Sequence, residues 1–421
     1  MSAPEPVVPG DPTFPGLHIR PPHGWLNDPN GVCRIDGRYH VFFQHNPDSP
    51  QHDAIQWGHA SSSDLLSWRY EPLALRTRPG GLDAAGCWSG CITDDGGVPT
   101  AVYTAVPDHA WNGAVVLARS DRQLLEWEQG DKPVMTTPAD PAIAEVRDPF
   151  VFTFDGHRYA VQGAGHQEGR PQLLAYACDD LTAWTELGPL LTDDDPIAAE
   201  VAPAQIWECP NLLQLGDRWL LIISLWRWQD QAHDLAGVRY LIGDLQAGPG
   251  SLTFLPTAGG VVDDGPTFYA PQAVSLPERA LLWGWAWEQG RTEEQTEAAG
   301  WAGVLTYPRE LSIVDDRLVS RPAAELVGLR RERLSWSPGV GFATAAFEID
   351  ASGPGSLALV QDGRDDIVVQ VDGVARIFVD GSLVEVFGAD TPYTTRAYPS
   401  ADSVWVIRAE PGDVVVWRLG L

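Results

Sequence analysis

The chain has 421 residues, of which 57 are acidic and 28 basic, and its formal net charge is −29. Such an acidic protein repels phosphate backbones and anionic lipids, and no basic run offers a local exception, so neither nucleic acid nor membrane is an expected partner. Five cysteines without framework spacing predict reduced thiols. The first fifteen residues contain five prolines and no apolar run, which predicts no signal peptide and a cytoplasmic protein.

A repeat of about 60 residues begins after a proline-rich segment, residues 1–16, that we expect to be disordered. Three acidic residues, Asp28, Asp148 and Glu208, stand at matching points of the repeat, each with proline one or two residues later. Each opens an alternating apolar run that ends in an Asp-Gly or Gly-Asp turn, as a strand entering a hairpin does. Steps of 61, 59, 60 and 61 residues connect Asp28 with Ser89, Asp148, Glu208 and Tyr269.

A second element recurs with the same spacing and ends in Trp68, Trp127 and Trp184, which are 59 and 57 residues apart. Fixed periods of this size in β-rich sequence are typical of propellers. We therefore predict an all-β protein with a five-bladed β-propeller over residues 17–320. In a propeller the first strands line a central channel, so the residues at one phase of the repeat should meet at its mouth.

The pattern changes beyond the repeat. Residues 321–334 contain helix formers and are predicted to be a helical linker. Strand signals resume afterwards, with a hairpin through Asp380-Gly381 and a last strand over residues 414–419. Residues 335–421 are predicted to form a small C-terminal β-sandwich.

Hydrolysis of a glycosidic bond needs two carboxyl groups, one protonated and one ionised, and the repeat supplies three candidates. Asp148 follows Arg147, whose positive charge favours the ionised form and makes Asp148 a poor acid. Glu208 has no cationic neighbour in sequence, so apolar surroundings could raise its pKa into the range of an acid/base. Asp28 lies beside Asn27 in a turn that can keep a carboxylate ionised, which makes it the natural nucleophile.

Eight segments, taken together and in this order, resemble the motifs of glycoside hydrolase family 32, the invertases and fructanases. They are 25–31 (WLNDPNG), 56–60 (QWGHA), 88–90 (WSG), 147–149 (RDP), 208–210 (ECP), 268–272 (FYAPQ), 300–303 (GWAG) leading to 308–311 (PREL), and 376–382 (RIFVDGS) leading to 384–387 (VEVF). Two positions depart from the family pattern, Thr267 and Cys91, and both are expected to alter the rim of the pocket.

The resemblance implies a five-bladed propeller with a C-terminal sandwich, and retaining hydrolysis of fructofuranosides. It implies Asp28 as nucleophile, Glu208 as acid/base and Asp148 as the transition-state stabiliser that holds fructose hydroxyls. The substrate contacts that it implies are Asn27, Gln44, Trp57, Trp88, Ser89, Arg147 and Trp285. No histidine pair has ligand spacing, so we expect neither metal nor cofactor.

The expected activity is that of a β-fructofuranosidase on sucrose and short fructo-oligosaccharides. Three alternatives stay open: a fructosyltransferase with the same site, an exo-fructanase acting on inulin or levan, and a non-catalytic sugar-binding propeller. Because the chain is so acidic, we expect sucrose to be preferred over sucrose 6-phosphate, unless Arg76, Arg78 or Arg291 reaches the pocket. The sequence predicts no oligomeric state.

Overall fold

The computed structural model describes residues 10–421 except 109–112, 137, 139, 230–231 and 389–390. The described residues form mostly β-structure and include two short α-helices, α1 (Pro196–Val201) and α2 (Glu293–Ala299). Neither helix has the length and apolar character needed to cross a membrane. Of the predicted disordered segment, residues 1–9 lie outside the described residues.

The first domain consists of sheets formed in chain order. The first two sheets use β1 (Gly24–Ile35), β2 (Arg38–Asn46), β3 (Gln56–Ser62) and β4 (Arg69–Tyr70), then β5 (Gly86–Asp95), β6 (Val98–Val106), β7 (Ala114–Ser120) and β8 (Trp127–Gln129). The next two use β9 (Ile143–Phe154), β10 (His157–His166), β11 (Pro171–Ala177) and β12 (Thr185–Thr192), then β13 (Ile206–Leu215), β14 (Arg218–Gln229), β15 (Ala232–Gly248) and β16 (Ser251–Val261).

A fifth sheet joins the two ends of the domain. It contains β17 (Phe268–Ser275), β18 (Ala280–Ala286), β20 (Val304–Leu305), β21 (Arg309–Val314) and β22 (Arg317–Pro322), while β19 (Trp301–Ala302) pairs in parallel with β1 of the first sheet. The first strands of successive sheets contact one another, and β17 also contacts β1, so these strands form a closed ring.

Each first strand is irregular at the same phase of the repeat. Its pairing with the second strand is interrupted at residues 27–28, 88–89, 148–149, 209–210 and 270–271. Such β-bulges bend a strand and redirect its side chains, and they are common next to active sites. Three of them contain a non-glycine residue with positive φ: Asp148 (58°), Cys209 (46°) and Ala270 (42°). The repeat seen in the sequence is therefore also a repeat of backbone geometry.

The second domain begins with a 3-10 helix at Ala324–Leu329, where the sequence predicted a helical linker. One sheet contains β23 (Arg330–Arg333), β25 (Ala346–Ala351), β28 (Ala375–Asp380), β29 (Leu383–Phe387), β30 (Tyr393–Arg396) and β32 (Val414–Leu419). The other contains β24 (Gly341–Phe342), β26 (Gly355–Gln361), β27 (Arg364–Val371) and β31 (Val404–Ala409). The predicted hairpin is β28 and β29, and the predicted last strand is β32.

Buried charges join the two domains. Arg309 of β21 forms ion pairs with Asp263 (2.7 Å) and with Glu385 of β29 (2.8 Å), and all three side chains are fully buried. The His18 ring contacts Asp380 Oδ2 at 2.7 Å and Glu385 Oε1 at 3.1 Å. The chain before His18 is tied to the same region, since the Gly16 amide donates to Asp380 Oδ1. Ordered structure thus begins several residues before the predicted boundary at residue 17.

Candidate active site

The ten residues singled out in the sequence lie on seven strands of the first domain. They are Asn27 and Asp28 on β1, Gln44 on β2, Trp57 on β3, Trp88 and Ser89 on β5, Arg147 and Asp148 on β9, Glu208 on β13 and Trp285 on β18. The three acids occupy the bulged positions of their strands or the position directly before the bulge. The bulges therefore bring carboxyl groups that are far apart in sequence to one end of the ring.

Asp28 is buried and receives hydrogen bonds on both carboxyl oxygens. Its Oδ2 accepts from Gln44 Nε2 (2.9 Å), Ser89 Oγ (2.6 Å) and Cys209 Sγ (3.5 Å), whereas Oδ1 accepts from Asn27 Nδ2 (3.0 Å). Burial nevertheless raises the pKa of Asp28 to about 6, because the hydrogen bonds from Ser89 and Asn27 offset the desolvation only in part and the Glu208 carboxylate adds repulsion.

Asp148 is buried beside Asp28, and Cys209 links the two carboxyl groups. The Cys209 amide donates to Asp148 Oδ2 at 3.0 Å, and its Sγ lies 3.5 Å from the same oxygen. Burial and the neighbouring Glu208 carboxylate raise the pKa of Asp148, and the Arg147 charge opposes this rise without cancelling it. Arg147 is visible in the sequence as a neighbour of Asp148, whereas the larger effect of desolvation arises only from the fold.

Glu208 has a cationic partner that its neighbours in sequence did not reveal. Arg147 Nε donates to Glu208 Oε1 at 3.1 Å, and the Tyr269 hydroxyl donates to Oε2 at 2.7 Å. The same guanidinium also binds Glu145 Oε2 at 2.6 and 2.7 Å. The sequence placed Tyr269 at the mouth because it is in phase with the acids, but nothing in the sequence indicated Glu145.

The predicted tryptophans occupy different depths. Trp57 is fully buried, and its Nε1 donates to the Trp88 carbonyl at 3.0 Å. This hydrogen bond stabilises the backbone of the β5 bulge. Trp285 packs edge-on against Trp25, with ring centroids 5.7 Å apart. Gly303 is required there, since a Cβ would lie 1.8 Å from the Leu26 carbonyl oxygen. Direct contacts of these rings with fructose stay predictions.

The two departures from the family pattern do not lie at the pocket rim, contrary to expectation. Thr267 is fully buried, and its Oγ1 donates to the Thr394 carbonyl of the second domain at 3.0 Å. Cys91 is buried within β5 and accepts from the Val151 amide at 3.2 Å. Both side chains serve packing between strands, which a motif comparison cannot distinguish from a place in the pocket.

Two cavities lie near the strands that carry the predicted site residues. A narrow one is lined by residues from all five first strands, including Asn30, Ser89, Asp148, Cys209 and Gln272. A cleft of about 530 Å³ lies beside β18 and α2, within the size range of ligand pockets. Its walls include the following residues: Trp25, His52, Asp234, Leu235, Trp285, Trp287, Glu288, Arg291, Glu293 and Glu297.

Among the described residues, no group of three or more histidines, cysteines, aspartates or glutamates is arranged to hold a metal ion. The functional groups that converge at the mouth are carboxyl groups with amide, hydroxyl, thiol and guanidinium donors. This arrangement can supply one carboxylate that is held by several donors, Asp28, and one carboxyl group with a single cation beside it, Glu208.

Comparisons with known proteins agree with this chemistry. Residues 18–322 match the glycosyl hydrolases family 32 N-terminal domain. A sucrose-6-phosphate hydrolase of Klebsiella pneumoniae is 33% identical, over 91% of this chain and 88% of that protein, and a raffinose invertase of Escherichia coli is 31% identical, over 97% and 94%. A Bombyx mori GH32 beta-fructofuranosidase structure superimposes with a TM-score of 0.81 at 24% identity, covering 97% of this chain and 94% of that one.

The matches and the clustered carboxyl groups identify a glycoside hydrolase. The chain belongs to glycoside hydrolase family 32, as the eight sequence motifs indicated. The structural similarity shows a shared fold, a β-propeller followed by a β-sandwich.

Proposed function

We propose that this protein is a retaining β-fructofuranosidase that removes terminal β-D-fructofuranosyl units from sucrose and short fructo-oligosaccharides. The observation that carries this proposal is the unequal environment of two neighbouring carboxyl groups. Asp28 is buried among four donors, whereas the Glu208 side chain is 16% exposed and bound by Arg147 and Tyr269. A double displacement requires one carboxylate fixed for attack and one carboxyl group that exchanges protons with solvent.

The proposed first step forms a bond between Asp28 and C2 of the fructosyl unit. Because Oδ2 already accepts three hydrogen bonds and Oδ1 accepts only that of Asn27, we assign the attack to Oδ1. As the C2–O bond breaks, Glu208 donates its proton to the departing oxygen. In the second step Glu208 takes a proton from water, the water oxygen attacks C2, and the Asp28 carboxylate is released.

Asp148 is proposed to stabilise the transition state through fructose hydroxyl groups. Its Oδ2 accepts from the amide and the thiol of Cys209, and hydroxyl donors from the sugar would replace the hydration that the buried carboxyl group has lost. Arg147 and Tyr269 are proposed as positioning residues, since each donates one hydrogen bond to Glu208.

The cleft beside Trp285 is proposed to receive the leaving group, and its charge favours neutral sucrose. Three exposed acids, Asp234, Glu293 and Glu297, line it. Among the described residues of its wall Arg291 is the one guanidinium, and it is paired with Glu288 at 3.3 Å and packs over Trp301 and Tyr398. A phosphate would meet several carboxylates and one neutralised cation, so we propose sucrose rather than sucrose 6-phosphate as the better substrate.

The same site would serve two related activities. A fructosyltransferase would use a sugar hydroxyl in place of water at the fructosyl-enzyme, and an exo-fructanase would accept inulin or levan. Product analysis at high sucrose concentration separates transfer from hydrolysis. A non-catalytic sugar-binding propeller is disfavoured, because binding alone requires no nucleophile and acid/base pair.

We also infer that the five sheets are the blades of one propeller, since their first strands form a closed ring and line one narrow cavity. The five cysteines are unpaired, which supports the proposed cytoplasmic location.

Rate measurements on Glu208→Gln test the proposed roles. We expect hydrolysis of sucrose to be lost, while an aryl fructoside with a good leaving group still reacts, because that group departs without a proton. Azide should accelerate turnover of the aryl fructoside when release from Asp28 is limiting. Equal loss with both substrates, unrelieved by azide, would exclude Glu208 as the acid.

A further inference from the structure

Trp228, near the end of β14, is exposed to an unusual degree for a tryptophan. The residue is 54% exposed, and it is the single aromatic residue among the strongly exposed large apolar residues in the described ranges. Trp226 lies two positions earlier, on the same face of the strand, and the two indoles stack with centroids 6.2 Å apart and planes inclined by 27°. Together they form a flat aromatic surface, which we name the Trp226–Trp228 platform.

The backbone of this platform is fixed to the segment that carries Glu208. The Gln205 side chain accepts from the Trp228 amide at 2.6 Å and donates to the Trp228 carbonyl at 3.3 Å, while the Gln205 amide donates to the Trp226 carbonyl. Arg227 donates twice to the Pro203 carbonyl. A rigid aromatic surface loses little conformational freedom when it binds a ligand.

The register of the strands places the platform on the side of the acid/base. Glu208 pairs with Ser224, so Trp226 and Trp228 lie two and four residues further along β14, roughly 7 and 13 Å at the rise of a β-strand. On β15, Leu235 pairs with Trp226 and Asp234 with Arg227, and both Leu235 and Asp234 line the cleft. The platform therefore lies on the strand next to two residues of the proposed leaving-group cleft, further along β14 than the partner of Glu208.

We propose that the Trp226–Trp228 platform binds the outer sugar units of fructo-oligosaccharides, beyond the unit that occupies the cleft. This inference rests on the proposed function, because it takes the leaving group to lie beside Glu208. The ring faces of sugars carry C–H groups that pack on indole, and their hydroxyl groups stay in water at the edge of the ring. Such a surface takes a neutral saccharide and adds affinity with each unit that reaches it.

The test measures KM for substrates of increasing length, in the unaltered full-length protein and in its Trp228→Ala variant. The clamp by Gln205 uses backbone atoms of Trp228, so the substitution removes the ring and keeps the strand in place. We expect the ratio of KM for a four-unit inulin-type oligosaccharide to KM for sucrose to rise roughly three- to tenfold. Trp228→Tyr should restore part of the difference.

Leu255→Ala is the matched control, since Leu255 is 45% exposed at the remote end of the same sheet and should leave the ratio unchanged.

An unchanged ratio of the two KM values in Trp228→Ala would overturn the inference, whether neither KM changes or both rise by the same factor. A shift from dimer to monomer on size exclusion with an unchanged ratio would assign the platform to contact between copies. If the unaltered protein hydrolysed no fructoside, the proposed function would fail, while oligosaccharide binding measured by tryptophan fluorescence would still test the platform.

Discussion

At the scale of single residues, the site combines a buried acid with donors that only partly compensate its burial. Asp28 has its pKa raised to about 6 although four groups donate to it. The sequence singled out Asp28, Asp148 and Glu208 because each marks the same phase of the repeat, and the fold brings these three carboxyl groups together. The sequence could not predict that Arg147 binds Glu208, since β9 and β13 meet only in the folded ring.

Asp28→Asn should abolish turnover and stabilise the fold. In the folded protein the pKa is about 6 and in the unfolded chain about 4, so between these values the folded state binds more protons and stability falls as pH rises. The cost of the buried charge is fully present above pH 6, on the order of 2 to 3 kcal/mol. We expect a raised free energy of unfolding at pH 7 and little gain at pH 4, measured with urea. A loss of stability at pH 7 would contradict the raised pKa.

Tyr269→Phe should lower kcat for sucrose by about tenfold, because Glu208 loses one of its two positioning hydrogen bonds. The loss should be smaller for an activated aryl fructoside, whose leaving group needs no proton. Comparison of kcat for the two substrates checks this. Equal losses for both would show that Tyr269 supports the pocket rather than the proton transfer.

At the scale of elements, the period of the sequence predicted the strands that carry the acids, and the structure adds the bulges that redirect them. The proposed leaving-group cleft was not predicted. It is assembled from β1, β15, β18 and helix α2, and the helix arises from a local signal outside the repeat, a capping box between Thr292 and Gln295. Its acids Glu293 and Glu297 lie four residues apart on one helical face.

Removal of these two charges tests the selection against phosphate. At low ionic strength we expect a higher kcat/KM for sucrose than for sucrose 6-phosphate. The double variant Glu293→Gln, Glu297→Gln should narrow this difference roughly two- to tenfold. Glu294→Gln, on the same helix and outside the cleft wall, is the control for charge alone. A preference of the unaltered enzyme for the phosphorylated sugar would contradict this selection and show that Arg76, Arg78 or Arg291 reaches the phosphate.

At the scale of the whole molecule, the two domains share a buried ionic network that no local pattern predicted. Arg309 lies between Asp263 and Glu385, which are 122 residues apart in sequence, and only the folded contact between β21 and β29 reveals the partners. The predicted sandwich follows from its own strand signals, whereas its attachment depends on these long-range pairs.

Arg309→Met should destabilise the protein by about 3 to 5 kcal/mol, because it removes the guanidinium that pairs with two buried carboxylates, Asp263 and Glu385. Arg34→Met is the control, since its partner Glu278 is exposed and such a pair contributes about 0 to 1 kcal/mol. Unfolding in urea, followed by tryptophan fluorescence, measures both. Similar small losses in the two variants would show that the network does not hold the domains together.

A covalent fructosyl intermediate on Asp28 distinguishes the proposed mechanism from direct attack by water, and trapping this intermediate tests the mechanism most directly. Glu208→Gln lacks the proposed base for the activation of water, so incubation with an activated aryl fructoside should accumulate the fructosyl-enzyme. Mass spectrometry of the quenched, digested protein should find one added fructosyl residue on the peptide that contains Asp28. Release of the aryl group without any adduct, or an adduct on Asp148 instead, would contradict the proposed mechanism.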